Sequence, residues 1–140
     1  MDAPRVASAA FGRLTRRADF QRVSRGRRKS SAAFVLQSAP REDGGPGEPK
    51  PRVGFTVTRK VGGAVARNRI RRRLREALKA ALPLETESDC DYVLMARREA
   101  LSRDFAELVD DMRNAFRAAA RDRRGSRGGP SAPRRRTELK

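Results

Sequence analysis

The chain has 140 residues, with 34 Lys or Arg against 17 Asp or Glu, which gives a formal net charge of +17. It has no histidine and one cysteine, Cys90, so it cannot build a disulfide framework or a Cys/His metal site within one chain. No segment approaches the roughly 20 apolar residues of a membrane span, and the N-terminus lacks a signal-peptide pattern. We therefore expect a cytoplasmic protein without membrane association, and the excess positive charge indicates an anionic partner such as nucleic acid.

The sequence divides into one domain and two tails. Residues 1–12 are small and mixed, and we expect a flexible N-terminus there. Residues 123–140 are rich in Gly, Ser, Pro and Arg, a composition typical of a disordered basic tail. Residues 13–122 carry the periodic apolar patterns of a folded domain.

A short basic helix is predicted over residues 14–25, and Gly26 is placed to end it. Its less polar positions include Phe20, and cations such as Arg16 and Arg17 surround them. Phe20 has two interpretations. It can be a core anchor that holds the helix down, or an aromatic ring that lines a groove for a nucleotide.

Alternating apolar and polar residues predict strands over 32–38 and 52–58, and a short apolar run predicts a third strand over 92–96. A short edge strand is expected over 27–31. The segment 39–51 contains four Pro and three Gly, which predicts a long surface connection.

The strand over 52–58 has two different faces. One face is formed by valine and phenylalanine and suits a core, whereas Gly54, Thr56 and Thr58 make the other face small and hydroxyl-bearing. That second face either meets solvent or leaves room for the backbone of a ligand to approach.

The most basic segment, 59–79, has nine Lys or Arg and one acidic residue, Glu76. Apolar residues recur at helical spacing from Ile70 onward, and the helix should end at Leu82 because Pro83 follows. The cations divide between two flanks of this helix: Arg71, Arg75 and Lys79 on one, and Arg69, Arg72 and Arg73 on the other. A helix that buries one side and exposes guanidinium groups on the rest is typical of a polyanion binder.

Two other interpretations of the basic helix remain open. It can be an ordinary solvated face, although a face needed only for solubility would mix both signs of charge. It can also lie on a membrane surface, although its apolar side is rich in Ala and lacks Trp and Phe.

Four carboxylates follow the basic helix at alternate positions: Glu85, Glu87, Asp89 and Asp91. We interpret them as ordinary loop charges, since no histidine or apolar pocket accompanies them, although paired carboxylates could also serve metal-assisted nuclease chemistry. A last helix is predicted over 103–121, with Ser102 as its cap and an apolar stripe of 3.6-residue period.

The centre of the chain, residues 52–75, reads RVGFTVTRKVGGAVARNRIRRRLR. Together with Asp19-Phe20 upstream and the segment 91–97, it resembles the protein subunit of bacterial ribonuclease P. The Arg-Asn-Arg run is similar to that family's signature, with strand, turn and helix in the same order and spacing. The resemblance spans roughly residues 13–119.

This resemblance implies an α+β fold, a two-layer α/β sandwich in αβββαβα order with a four-stranded sheet. It also implies a left-handed crossover around the basic helix, against the usual rule. The family's protein assists an RNA catalyst, an endoribonuclease that removes the 5′ leader from precursor tRNA. The chain itself would carry no catalytic residue, one protein would bind one RNA subunit, and Mg²⁺ would be bound mainly by that RNA and the substrate.

The resemblance also implies which residues bind RNA. The cleft for the single-stranded leader would be lined by Phe20, Val35, Gln37, Thr56 and Thr58. Phosphates of the RNA subunit or substrate would be met by Arg16, Arg17, Arg59, Lys60, Arg67, Asn68, Arg69, Arg71, Arg72 and Arg75.

The chain departs from the family at two positions of the cleft. Ser24 and Gln37 stand where many members carry an aromatic residue, so base stacking should contribute less here. Two rival functions remain: a general RNA chaperone or ribosome-associated binding module, and a stand-alone metal-dependent nuclease that uses Asp89 or Asp91.

Overall fold

The computed structural model describes residues 11–41, 51–86 and 90–125. Within these ranges the helices and strands are β1 (Gly12–Arg13), α1 (Arg17–Ser24), β2 (Arg27–Ser30), β3 (Phe34–Pro40), β4 (Arg52–Thr56), α2 (Ala64–Ala81), β5 (Cys90–Ala96) and α3 (Phe105–Gly125). Short 3-10 turns at Arg59–Val61 and Arg98–Leu101 precede α2 and α3. From α1 onward the order is αβββαβα, so the predicted order and the α+β class are confirmed.

The predicted elements lie within a few residues of their observed bounds. α2 ends one residue before Leu82, which has extended backbone. α1 is shorter than predicted because Arg16, just before it, also has extended backbone. β3 includes Ala39 and Pro40, so the strand runs into the predicted connection, of which 42–50 lies outside the described residues. α3 continues past the predicted end of the domain to Gly125, and the rest of the predicted tail lies outside the described residues.

The strands that the structure describes form one mixed sheet in the order β1-β4-β5-β3-β2. β1, β4 and β5 run parallel, whereas β3 is antiparallel to both β5 and β2. α2 connects the parallel neighbours β4 and β5. The handedness of this crossover stays a prediction.

The prediction of four strands was wrong, since the described sheet has five. The additional strand, β1, pairs Gly12 with Arg52 and Arg13 with Val53. Two residues are too few to show the alternation by which strands are recognised in a sequence. Phe11 also packs on the core, with its ring centroid 6.5 Å from that of Phe116 in an edge-to-face arrangement.

The main core lies between the sheet and the pair α2 and α3. Phe34 and Leu94 of the sheet, Ile70 of α2, and Leu108 and Phe116 of α3 are all completely buried there. The apolar stripes that predicted these helices therefore face the sheet, as their spacing requires.

α1 lies on the opposite face of the sheet, where Val23 packs in a smaller cluster with Leu14, Ala39 and Val93. Helices thus cover both faces, which corrects the prediction of two layers. With only eight residues, α1 makes a partial third layer and leaves part of this face uncovered. We call the sheet surface on this side the α1 face.

Candidate nucleic-acid interface

The ring of Phe20 lies directly on the backbone of Gly54 in the α1 face. A Cβ atom at Gly54 would lie 2.6 Å from Cζ of Phe20, which is closer than carbon atoms approach one another. Glycine at this strand position therefore lets α1 come close to the sheet. Phe20 is only partly buried and packs against the cluster of Leu14, Val23 and Val93. Its position is compatible with both of its predicted roles.

The strand register places two rows of side chains across the α1 face. Nearer to α1 lie Gly54, Val93, Gln37 and Arg28, and farther from it lie Thr56, Met95, Val35 and Ser30. Phe20, Val35, Gln37 and Thr56 of the predicted cleft thus share this face. Thr58 is exposed just beyond the end of β4.

The predicted cleft residues differ in how much surface they offer to a ligand. Val35 is 5% exposed and Gln37 is 4% exposed, so they form the floor of the face. Phe20 and Thr56 are half-buried and present more of their side chains. Contacts to a ligand would therefore come mainly from Phe20 and Thr56, and less from the two β3 residues.

Asp91 of β5 holds α1 to the sheet through Arg22 and also binds Arg52 of the neighbouring strand β4. Its side chain is completely buried, and its Oδ2 accepts hydrogen bonds from Nη2 of Arg22 at 2.5 Å and Nη2 of Arg52 at 2.7 Å. Nε of Arg52 donates to the other oxygen at 2.8 Å. The interpretation of Asp91 as a loop charge was wrong, since it lies in β5 between apolar neighbours. Glu87 and Asp89 lie outside the described residues.

Asp19 on α1 completes this group, which we call the ion network: Asp19, Arg22, Arg52 and Asp91. Nη2 of Arg22 donates to Oδ1 of Asp19 at 3.1 Å. Burial alone would raise the pKa of Asp19, but the hydrogen bond from Arg22 and the charges of Arg16 and Arg52 outweigh it and lower the pKa. Burial would lower the pKa of Arg22, but its bonds to both carboxylates raise it. The hydrogen bonds and charges of the network therefore favour the charged forms of Asp19 and Arg22.

A glycine turn sets the start of α2. Gly62 has φ 147°, a conformation that residues with a side chain rarely adopt, and Gly63 is the extended residue before the helix. Ahead of this turn, the 3-10 turn leaves Arg59 and Lys60 exposed. The helix then buries Ile70 and the later apolar residues of its stripe and exposes its basic side.

The predicted α2 residues are not equally available to a ligand. Asn68, Arg69, Arg72 and Arg75 are exposed, and Arg71 is half-buried. Arg67 is also half-buried, and its Nη1 donates to the Gly62 carbonyl at 3.2 Å. Arg73, which we did not predict as a ligand contact, donates to the Arg103 carbonyl. Within the described residues, Arg69, Arg72 and Arg75 have no carboxylate partner.

A cavity of about 550 Å³ lies beside the outer edge of the sheet, and we call it the outer groove. Its lining comes from β1, α1, β4 and one flank of α2: Phe11, Gly12, Arg13, Leu14, Phe20, Val53, Gly54, Phe55, Arg71, Arg75, Leu78 and Lys79. The guanidinium carbon of Arg75 lies 5.9 Å from the ring centroid of Phe55, a cation–π contact. Four of the lining residues were not predicted as site residues: Phe11, Arg13, Phe55 and Lys79.

Comparison with known proteins decides the family. The Ribonuclease P family model matches residues 9–120. A ribonuclease P protein component of Caulobacter vibrioides is 42% identical over 125 residues, which cover 89% of this chain and 80% of that protein. Another, from Gluconacetobacter diazotrophicus, is 48% identical over 108 residues, covering 76% of this chain and 90% of that protein. The chain belongs to the ribonuclease P protein family.

Solved structures of ribonuclease P proteins have the same fold. A Staphylococcus aureus RNase P protein mutant with defective mRNA degradation activity matches with a TM-score of 0.64 and 25% identity, covering 81% of this chain and 90% of that one. The RNase P protein from Thermotoga maritima matches with a TM-score of 0.60 and 25% identity, covering 76% and 96%. The resemblance recognised in the sequence is confirmed. The chain is the protein component of a tRNA-processing ribonucleoprotein.

In the part of the chain that the structure describes, no three His, Cys, Asp or Glu side chains gather where they could hold a metal ion. Among the described helices, none has both the length and the apolar character needed to cross a bilayer.

Proposed function

We propose that this chain binds the catalytic RNA subunit of ribonuclease P through α2 and binds the 5′ leader of precursor tRNA on the α1 face. The observation that carries the proposal is the contrast within α2: one side is locked into the core, and the other exposes arginines without carboxylate partners among the described residues. When such cations bind a polyanion, they release its condensed counterions, and this release favours the complex.

α2 suits a folded RNA because its cations have fixed positions. Ile70 and Leu74 are completely buried, so the helix cannot rotate to follow a flexible ligand. Phosphate contacts from a rigid surface determine register and orientation more than sequence preference. Arg69 and Arg72 on the exposed side, with Arg59 and Lys60 ahead of the helix, supply such contacts.

The α1 face suits single-stranded RNA because it combines the aromatic ring of Phe20 with the small residues Gly54 and Thr56. A base can stack on the exposed part of Phe20 while the strand runs over Thr56. The two departures from the family limit this stacking. Ser24 is exposed and its hydroxyl donates to the Gln21 carbonyl at 2.7 Å, and Gln37 is nearly covered. Stacking on this face therefore rests on Phe20.

In this proposal the protein contributes positioning and charge neutralisation to endonucleolytic cleavage of the leader. Holding the leader and the RNA subunit together lowers the entropy cost of aligning the scissile phosphate. The two buried carboxylates do not fit a metal ion, since oxygens of Asp19 and Asp91 accept hydrogen bonds from Arg22 and Arg52. We place the Mg²⁺ ions of the reaction on the RNA subunit and substrate, and no step runs through a metal held by this chain.

Reconstitution tests the proposal. The purified protein, a candidate RNA subunit and a 5′-labelled precursor tRNA are combined at low magnesium, with the protein alone and the RNA alone as controls. We expect release of the intact leader only when protein and RNA are both present, and tighter binding of precursor than of mature tRNA by the complex. Cleavage by the protein alone would support the stand-alone nuclease, and equal binding of precursor and mature tRNA would support the RNA chaperone.

A further inference from the structure

The outer groove is continuous with the α1 face but opens in another direction. Phe20 and Gly54 belong to both, and Val53 and Phe55 of the opposite strand face also line the groove. Because β1 pairs only with the first two residues of β4, the described remainder of β4 is an edge of the sheet. A single strand of RNA that leaves the α1 face at Phe20 would therefore pass this edge of the sheet and meet α2.

The chemistry of the groove selects an anion with flat apolar parts. Four of the residues that line it are cations, Arg13, Arg71, Arg75 and Lys79, and no carboxylate is among the described residues of the lining. Three others are Phe11, Phe20 and Phe55. Cations that follow a phosphate backbone, together with rings for bases, are the combination found in single-strand binding proteins.

The dimensions favour individual nucleotides. A volume near 550 Å³ falls within the range of about 300–1,000 Å³ that is typical of sites for small ligands. The Arg75 guanidinium already lies over Phe55, so its outer surface offers a second plane on which a base can stack. A double helix would contact the rim without filling the groove.

We propose that the outer groove is a second site for single-stranded RNA, which holds leader nucleotides next to those on the α1 face. The two flanks of α2 then have different partners. Arg71, Arg75 and Lys79 face the substrate, whereas Arg69 and Arg72 face the RNA subunit. This inference rests on the proposed function, and it adds Phe11, Arg13, Phe55 and Lys79 to the leader path.

The test uses the complete ribonucleoprotein and precursor tRNAs whose leaders grow one nucleotide at a time. The variant is Arg13→Ala/Lys79→Ala, since both side chains are exposed and their loss costs no packing. We expect unchanged binding of mature tRNA, and weaker binding of precursors, by about threefold to tenfold at low salt, once the leader is long enough to fill the groove. The matched control is Arg117→Ala/Arg121→Ala, which removes two exposed cations of α3 outside the groove.

The possible outcomes distinguish failure of the second site from failure of the proposed function on which it rests. If the wild type does not distinguish precursor from mature tRNA, the proposed function fails. If the wild type does distinguish them but the groove variant matches the control at every leader length, the second site is overturned. Weaker binding of the RNA subunit alone by the groove variant would also overturn it, since both flanks of α2 would then face that subunit.

Crosslinking gives a readout independent of affinity. A photoreactive uridine is placed at successive leader positions, and the crosslinked peptides are mapped. We expect one run of positions to label β3 and β4 on the α1 face, and an adjacent run to label residues 11–13 and 75–79. Labels confined to the α1 face at all positions would contradict the second site.

Discussion

Arginine has two different roles on the two sides of the sheet. In the ion network, Arg22 and Arg52 share the completely buried Asp91, and their own side chains are 16% and 19% exposed. On α2, Arg69 and Arg72 are exposed, and neither has a carboxylate partner among the described residues. The same guanidinium group therefore holds the fold together in one region and remains available to an external anion in the other.

The difference shows that net charge alone does not locate a binding surface. Arg22 and Arg52 are balanced by Asp19 and Asp91, so the ion network adds nothing to the formal charge of +17, whereas the exposed arginines of α2 do. Charge that is satisfied internally contributes little to the field that attracts RNA. The comparison predicts that substitutions in the ion network change stability first, and that substitutions on α2 change binding first.

The largest effect is expected from Asp91→Asn. Removing this charge leaves Arg22 and Arg52 with an uncompensated positive charge near the core, which typically costs 3 kcal/mol or more, and we expect about 3 kcal/mol because both arginines reach some water. Urea unfolding followed by far-UV circular dichroism measures the change. A loss below about 1 kcal/mol, the range of a surface ion pair, would show that the ion network does not stabilise the fold more than a surface pair does.

The control for this variant is Asp110→Asn. Asp110 lies 3.4 Å from Arg113 on α3, and its side chain is 69% exposed. Such a pair contributes about 0–1 kcal/mol, so the free energy of unfolding should change little. Each substitution removes one carboxylate charge that is paired with arginine, so the comparison contrasts a buried, shared carboxylate with an exposed one.

α2 was the part of the molecule that the sequence predicted best. Its apolar stripe repeats over several turns, and a glycine pair and a proline bracket it, so local rules agree about where it begins and ends. β1 escaped prediction because two residues carry no periodic signal. Its pairing depends on the position of β4, which lies 40 residues further along the chain in the register Gly12 to Arg52, and only the fold shows this.

The ion network was not predicted from the sequence for a related reason. Asp91 is separated from Arg22 by 69 residues and from Arg52 by 39, so no local spacing connects them. One signal was present: an acidic residue directly before the apolar run of a predicted strand is costly unless it is paired. The outer groove likewise depends on bringing residues 11–13 beside α2. Periodicity finds faces of elements, whereas sites between elements need the topology.

The next largest effect is expected from Phe20→Ala, which tests whether the α1 face is more than structural. Loss of one stacked base should weaken precursor tRNA binding by about 1–3 kcal/mol and leave mature tRNA binding unchanged. Filter binding with both tRNAs measures the ratio. Phe105→Ala removes another partly exposed ring, on α3, and serves as the control. Equal loss for both tRNAs would make Phe20 an anchor of the fold alone.

Arg69→Ala tests the other half of the comparison. Because Arg69 is exposed and has no carboxylate partner in the described chain, its loss should leave urea unfolding unchanged. Affinity for the RNA subunit should fall, and the slope of log affinity against log salt should decrease by about one. Arg22→Ala should show the reverse, with reduced stability and an unchanged salt slope. An unchanged slope for Arg69→Ala would remove this residue from the interface.

The smallest effect is expected from Asp19→Asn, and it concerns how the free energy of unfolding falls in acid. Its pKa is lowered in the folded protein, so in acid the unfolded chain binds more protons than the folded chain. The stabilisation from Asp19 is therefore complete above its unfolded pKa of about 3.9 and is lost as the pH falls through the folded value. Asp19→Asn should lower the free energy of unfolding at neutral pH and flatten its decline below about pH 4. Glu107→Gln, which removes an exposed carboxylate of α3, is the control for the loss of one negative charge. If the free energy of unfolding of Asp19→Asn and of the wild type fell in parallel with pH, the Asp19 carboxyl would bind protons equally in the folded and unfolded chain. Asp19 would then add no stability to the ion network, and Asp91 would be the carboxylate through which the network stabilises the fold.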